Sequence, residues 1–79
     1  MPSLATFARC VIRVYKNEHG VPHFHILAPD FAAVVEIGTL RIIEGDRAQV
    51  RRYAQDALTW AETHRDVILE AWHQFNPGR

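Results

Sequence analysis

The chain has 79 residues, of which 48% are hydrophobic and 23% are charged. This length suits a single domain, residues 1–79, because so short a chain cannot enclose two separate cores. Nine basic and nine acidic residues cancel, so the chain lacks the net positive charge with which proteins bind nucleic acid through its phosphates. Nucleic-acid binding is therefore not favoured.

Cysteine use and hydropathy indicate a cellular compartment. Cys10 is the single cysteine, which excludes an intramolecular disulfide and fits a reducing cytoplasm. The sequence shows no signal-peptide pattern and no apolar run of about 18 residues. We therefore expect a cytoplasmic protein without a membrane association. Because a core this small supplies limited stability, we also expect a homodimer or a complex with a second small protein.

The first half of the chain has the residue pattern of β-strands. Residues 9–16 alternate and are rich in β-branched types, which predicts the first strand. Segments 23–28 and 31–37 predict two more, separated by a turn at Pro29 and Asp30. Residues 40–43 can add a short fourth strand.

The second half has helical spacing. Asp46 is a typical N-cap, and Gln49 three residues later completes a pattern like a capping box. One helix over residues 47–75 is possible. We favour two helices with a break near Thr63–Asp66, because a straight helix of about 43 Å, at 1.5 Å per residue, exceeds so small a sheet. Asn76, Pro77 and Gly78 predict its end.

Strands followed by helices predict an α+β fold, in which a three- to four-stranded antiparallel meander carries the helices on one face. Pairing Leu27 with Ala32 across the turn places His23 opposite Glu36. The side chains predicted to be buried are Cys10, Ile12, Val14, Phe24, Ile26, Phe31, Ala33, Val35 and Ile37. The opposite face then collects Arg13, Tyr15, His23, His25 and Glu36, with Val11 and Val34 between them.

The run His23-Phe24-His25-Ile26 carries the most unusual chemistry. Its alternation has the period of a strand, so both imidazoles leave the backbone on one side and face solvent. Two such rings can share one metal ion, with His19 or Glu36 as the third ligand. On balance no cofactor is expected, and a divalent metal such as zinc is the alternative that the sequence leaves open.

Two readings without a metal remain open. In the first, His23 and His25 act in acid–base catalysis with Glu36, while Arg13 and Tyr15 bind a phosphate, as in a small nuclease. In the second, the segment is structural: Pro22 and the imidazoles fix the preceding loop through hydrogen bonds to Glu18 and to backbone carbonyls.

The remaining conspicuous residues have ordinary interpretations. The aromatic residues Tyr53, Trp60, Trp72 and Phe75 are expected in the core or at a dimer interface. Arg47, Arg51 and Arg52 are expected on a solvated helical face, with an anion as the minority reading. His64 and His73 are expected on the helix surface, and Cys10 is expected to be an inert core thiol.

Three segments resemble a known family of small bacterial proteins, the domain-of-unknown-function family DUF4160. They are Met1-Pro2-Ser3, the segment Asn17-Glu18-His19-x-x-Pro22-His23-Phe24-His25-Ile26, and Ile68-Leu69-Glu70-Ala71-Trp72-His73. The resemblance implies a stand-alone cytoplasmic protein that belongs to a toxin–antitoxin or similar two-gene module. It marks Glu18, His19, Pro22, His23 and His25 as signature positions and assigns them no roles.

We therefore expect a small protein–protein interaction or regulatory module, one component of a toxin–antitoxin-like pair. The alternative is a metal-dependent or histidine-based hydrolase of phosphodiesters, similar to a ribonuclease toxin, centred on His23 and His25. Whether the protein is an enzyme stays open.

Overall fold

The structure is a computed structural model that describes residues 3–16 and 18–77. Within these ranges the chain forms an antiparallel sheet of five strands, followed by three helices. The strands lie in the sheet in chain order, so every strand pairs with its neighbours in sequence. The predicted α+β meander is confirmed. The elements are β1 (Ser3–Thr6), β2 (Val11–Arg13), β3 (His23–Leu27), β4 (Ala32–Glu36), β5 (Ile42–Glu44), α1 (Arg47–Tyr53), α2 (Gln55–Thr63) and α3 (Arg65–Phe75).

The strand count exceeds the predicted three to four. The predicted first strand, residues 9–16, is shorter in the structure, and β1 precedes it as an additional edge strand. The chain reverses between β1 and β2 where the N–H of Phe7 donates to the carbonyl of Cys10 at 2.8 Å. The pattern of residues 3–6 is too short to reveal β1, because a strand of four residues offers only two alternations.

The last strand begins later than predicted. Leu40 was expected to open a strand, but it lies in the preceding turn with a φ of 61°. Its N–H donates to the carbonyl of Glu36 at 2.8 Å, which closes the turn. A positive φ is uncommon outside glycine, so sequence propensity pointed away from this conformation.

The predicted register between β3 and β4 is confirmed. Leu27 lies opposite Ala32 and His23 lies opposite Glu36. Eight of the nine side chains predicted to be buried are in the core, and Phe31 is only partly buried against it. Because the apolar side chains of the strands alternate with polar ones, one face of the sheet joins the helices in a single core.

The helical segment is divided at two points. Asp46 caps α1 as predicted, and its side chain accepts from the N–H groups of Ala48 and Gln49. The break predicted near residues 63–66 is confirmed at His64, so the single helix is excluded. A second break at Ala54 was not predicted. Its backbone leaves the helical region at φ −128° and ψ 23°, and its methyl group is fully buried. Alanine favours helix, so its presence gives no sign of the break.

The helical aromatic residues divide between core and surface. Trp72 is fully buried, while Trp60 and Phe75 are partly buried against the core. His64 stacks on Trp60 with ring centroids 4.3 Å apart and is therefore half-buried, whereas His73 is exposed as predicted. No helix in the described part of the chain is long and apolar enough to cross a membrane.

Candidate functional site

Three side chains converge where β3 begins. His23 and His25 project from the same side of the strand, with ring centroids 5.3 Å apart. Glu18 reaches them from the preceding loop. Its Oε1 lies 2.6 Å from Nε2 of His25 and 3.5 Å from Nε2 of His23. Glu18 is therefore the residue around which the two histidines are organised.

The loop that carries Glu18 is tied to the end of α3 by Asn76. The buried side chain of Asn76 accepts from the N–H of Glu18 at 2.7 Å and donates to the carbonyl of Tyr15 at 3.0 Å. It also donates to the carbonyl of Trp72 at 3.2 Å. One carbonyl and both N–H groups of the amide are thus used. The sequence around Asn76 predicts only the end of a helix, because nothing local signals its contacts with a distant loop.

His23 has a defined tautomer. Its Nδ1 lies 2.8 Å from the carbonyl oxygen of Val21. A carbonyl oxygen can only accept, so Nδ1 carries a proton and donates it. In the neutral ring the Nε2 atom then holds a lone pair, which faces the carboxylate of Glu18.

The prediction that both rings face solvent is wrong for His23, which is only 8% exposed. Its ring packs on Trp72 with centroids 4.7 Å apart. The alternation of the strand gives no sign of the helix end that covers the ring. His25 is half-buried, and its ring lies 4.6 Å from that of Tyr15 in an edge-on contact.

The other sequence candidates lie around this group. Arg13 is directly opposite His25 in the β2–β3 register, and its Nε donates to the hydroxyl of Ser3 at 3.2 Å. The backbone of Glu36 is opposite His23, but its carboxylate accepts from the hydroxyl of Thr39 at 3.1 Å.

One group of potential metal ligands converges in the described part of the chain. Its members are Glu18, His23 and His25, whose ligand atoms all lie within 4.8 Å of one another. His19 and Glu36, the third ligands considered from sequence, are not in it. The hydrogen bonds expected if the histidines have a structural role, to Glu18 and to a backbone carbonyl, are also present. The arrangement can therefore bind a cation, relay a proton or fix the loop.

An apolar surface pocket lies between the loop that precedes β3 and α3. Its volume is about 370 Å³. Val21 and Leu69, which are 49% and 37% exposed, lie on its wall. The other lining residues are Pro22, Glu36, Ile37, Gly38, Arg65 and Asp66.

A second cavity, of about 570 Å³, lies at the far end of the sheet beside Cys10 and Tyr53. The guanidinium groups of Arg9 and Arg52 lie 5.3 and 5.5 Å from the centre of the Tyr53 ring. Cys10 is buried as predicted. Burial raises the pKa of the Cys10 thiol, and the carboxylate of Asp56 raises it further.

Comparison with known proteins gives one match. A family model described as Domain of unknown function (DUF4160) matches residues 10–73. No curated protein and no solved structure matches the chain significantly. The matched range includes the three converging side chains and most of the core.

Proposed function

The chain belongs to the domain-of-unknown-function family DUF4160, and from this premise we propose that it is a small protein–protein interaction or regulatory module. It acts as one component of a toxin–antitoxin-like pair. Its partner is a second small protein encoded beside it. The small size and zero net charge of the chain support a protein partner over a nucleic-acid partner.

The apolar pocket lined by Val21 and Leu69 carries this proposal. Large apolar side chains exposed singly are ordinary, whereas a contiguous exposed patch marks an interaction surface. Val21 and Leu69 expose their side chains in the same pocket, although they come from a loop and from α3. The charged residues Arg65 and Asp66 also line it. Apolar centres with polar rims are usual in protein interfaces.

Co-expression with the product of the adjacent open reading frame tests the proposal. We expect a complex that survives size-exclusion chromatography, and growth arrest by one component that the other relieves. Val21→Asp should weaken the complex at least tenfold, since it places a charge in the apolar centre. Val67→Asp is the matched control, because Val67 is 48% exposed and lies outside the pocket.

Native protein isolated without any second polypeptide, together with no binding to the neighbouring product, would contradict this function. A particle of twice the chain mass with no foreign component would instead identify the pocket as a homodimer surface. Equal effects of the Val21 and Val67 substitutions would show that the pocket does not hold the partner.

A second candidate function is a metal-dependent or histidine-based hydrolase of phosphodiesters. The observation that favours it is the position of Arg13 and Tyr15 next to His25. A guanidinium group and a phenol beside paired imidazoles could bind a phosphate next to an acid–base group.

A ribonuclease assay with labelled RNA separates this candidate from the first. Cleavage should be lost in His25→Gln and retained in His73→Gln, whose ring is exposed on α3 and is not among the converging side chains. Cleavage that persists in the His25 variant, or that no preparation shows with or without divalent metal, would remove the hydrolase.

A further inference from the structure

We propose that Glu18, His23 and His25 form a binding site for one zinc ion, with a water molecule as the fourth ligand. The ligand atoms are Oε1 of Glu18 and Nε2 of each histidine. This site does not depend on either proposed function, because a structural or regulatory ion would use the same three ligands.

The distances need only small side-chain movements. Zinc bonds of about 2.0–2.1 Å place tetrahedral ligands about 3.3 Å apart. The Nε2 of His23 is 3.5 Å from Oε1 of Glu18, close to that separation. The 2.6 Å contact between His25 and Glu18 is a hydrogen bond that must open. All three atoms already lie within 4.8 Å of one another, so rotation about side-chain bonds is sufficient.

The hydrogen bond of His23 prepares it as a ligand. Histidines that bind metal commonly donate their other ring N–H to a carbonyl or carboxylate, which fixes the tautomer and the ring orientation. The contact of Nδ1 with the carbonyl of Val21 is this arrangement. In the neutral ring it leaves the Nε2 lone pair on the side of Glu18, 3.5 Å from Oε1, where a cation can bind both atoms.

Burial restricts the movement of the three ligand side chains and still leaves the site partly open to solvent. The side chains of His23, His25 and Glu18 are 10%, 20% and 25% exposed. Trp72 and Tyr15 pack against the two rings, and Asn76 fixes the backbone of Glu18. The partial exposure leaves room for a water ligand, as in zinc sites with three protein ligands.

The donor set selects the ion. Two imidazole nitrogens and one carboxylate suit zinc and its neighbours in the first transition series. Calcium requires six to eight oxygen ligands, and magnesium prefers an octahedral oxygen shell. The carboxylate compensates half the charge of a divalent ion. Two histidines and one glutamate with an open fourth position recur as a zinc site.

Calorimetric titration of zinc into untagged, chelator-treated protein tests the site. We expect one equivalent per chain and an increase of the melting temperature on binding. Glu18→Gln and His25→Gln should each weaken zinc binding about 100-fold or more, beyond the 10–100-fold that second-shell changes cause. Glu70→Gln and His73→Gln are matched controls, since both side chains are exposed on α3.

Cobalt substitution provides a readout that does not depend on any variant. A four-coordinate site should give the intense visible absorption of tetrahedral cobalt, and equimolar zinc should bleach it. Less than half an equivalent of bound zinc in the folded wild-type protein would overturn the proposal. So would binding that survives in the Glu18 and His25 variants, or binding that the His73 control abolishes. Circular dichroism establishes that each variant is folded.

Discussion

The backbone N–H of Glu18 donates to the side chain of Asn76 at 2.7 Å, although 58 positions separate the two residues. This bond joins the loop that precedes β3 to the end of α3. Asn76 also donates to the carbonyl of Tyr15. One buried amide therefore holds the backbone at Tyr15 and at Glu18, which places Glu18 near the histidines. The site thus depends on a residue outside the histidine segment.

Replacement of Asn76 by alanine should destabilise the protein by about 2–3 kcal/mol, since it strands backbone groups that are at least partly buried. Urea unfolding followed by circular dichroism measures the loss. Gln74→Ala, at an exposed position on the same helix, should change stability by less than about 0.5 kcal/mol. Equal stabilities of the two variants would contradict the role of Asn76.

Gly45→Ala should destabilise the protein by about 2 kcal/mol or more, because strain and a steric clash add. Gly45 has a φ of 109°, and a Cβ there would lie 2.9 Å from the carbonyl oxygen of Ala32. Gly38→Ala is the control, because nothing lies within 4 Å of its Cβ position. Thermal unfolding should show a lower melting temperature for the first variant and no decrease for the second.

The Cys10 thiol should titrate at higher pH in the folded than in the unfolded chain, since burial, and then Asp56, raise its pKa. The unfolded thiol therefore ionises first as pH rises, and stability falls in this alkaline range. The ¹³Cβ resonance of the single labelled cysteine reports both titrations, with and without guanidinium. Asp56→Asn should lower the folded-state pKa. A midpoint equal in both states would refute the prediction.

In metal-free buffer, His23→Ala should destabilise the protein more than His25→Ala. His23 is buried against Trp72 and holds the carbonyl of Val21, so we expect a loss of about 2–3 kcal/mol, compared with about 1 kcal/mol for His25. Guanidinium unfolding in the presence of a chelator measures both. The reverse order would show that the Glu18–His25 hydrogen bond contributes more than the burial of His23.

Local patterns in the sequence predict the sheet register and the core well. The β3–β4 pairing follows from the alternation of Phe24 and Ile26 with the histidines, since a slip of one residue would bury charge. The helix start follows similarly from the capping chemistry of Asp46. These signals act over a few residues and are therefore visible in the sequence.

The features that the sequence did not predict depend on tertiary contacts. The break lies at Ala54, which is fully buried, and alanine by itself favours helix, so no local signal marks it. The path of an irregular loop determines which side chain contacts the histidines. That side chain is Glu18, not His19 or Glu36. Periodicity gives no information about such a path.

The meander order of the strands separates the contacts that build the sheet from the contact that positions Glu18. Each hairpin forms between segments adjacent along the chain, and pairings of this kind require little loop-closure entropy. The Glu18–Asn76 bond instead spans most of the polypeptide. The contact that holds the Glu18 loop beside the imidazoles therefore exists only when the carboxyl-terminal helix is docked.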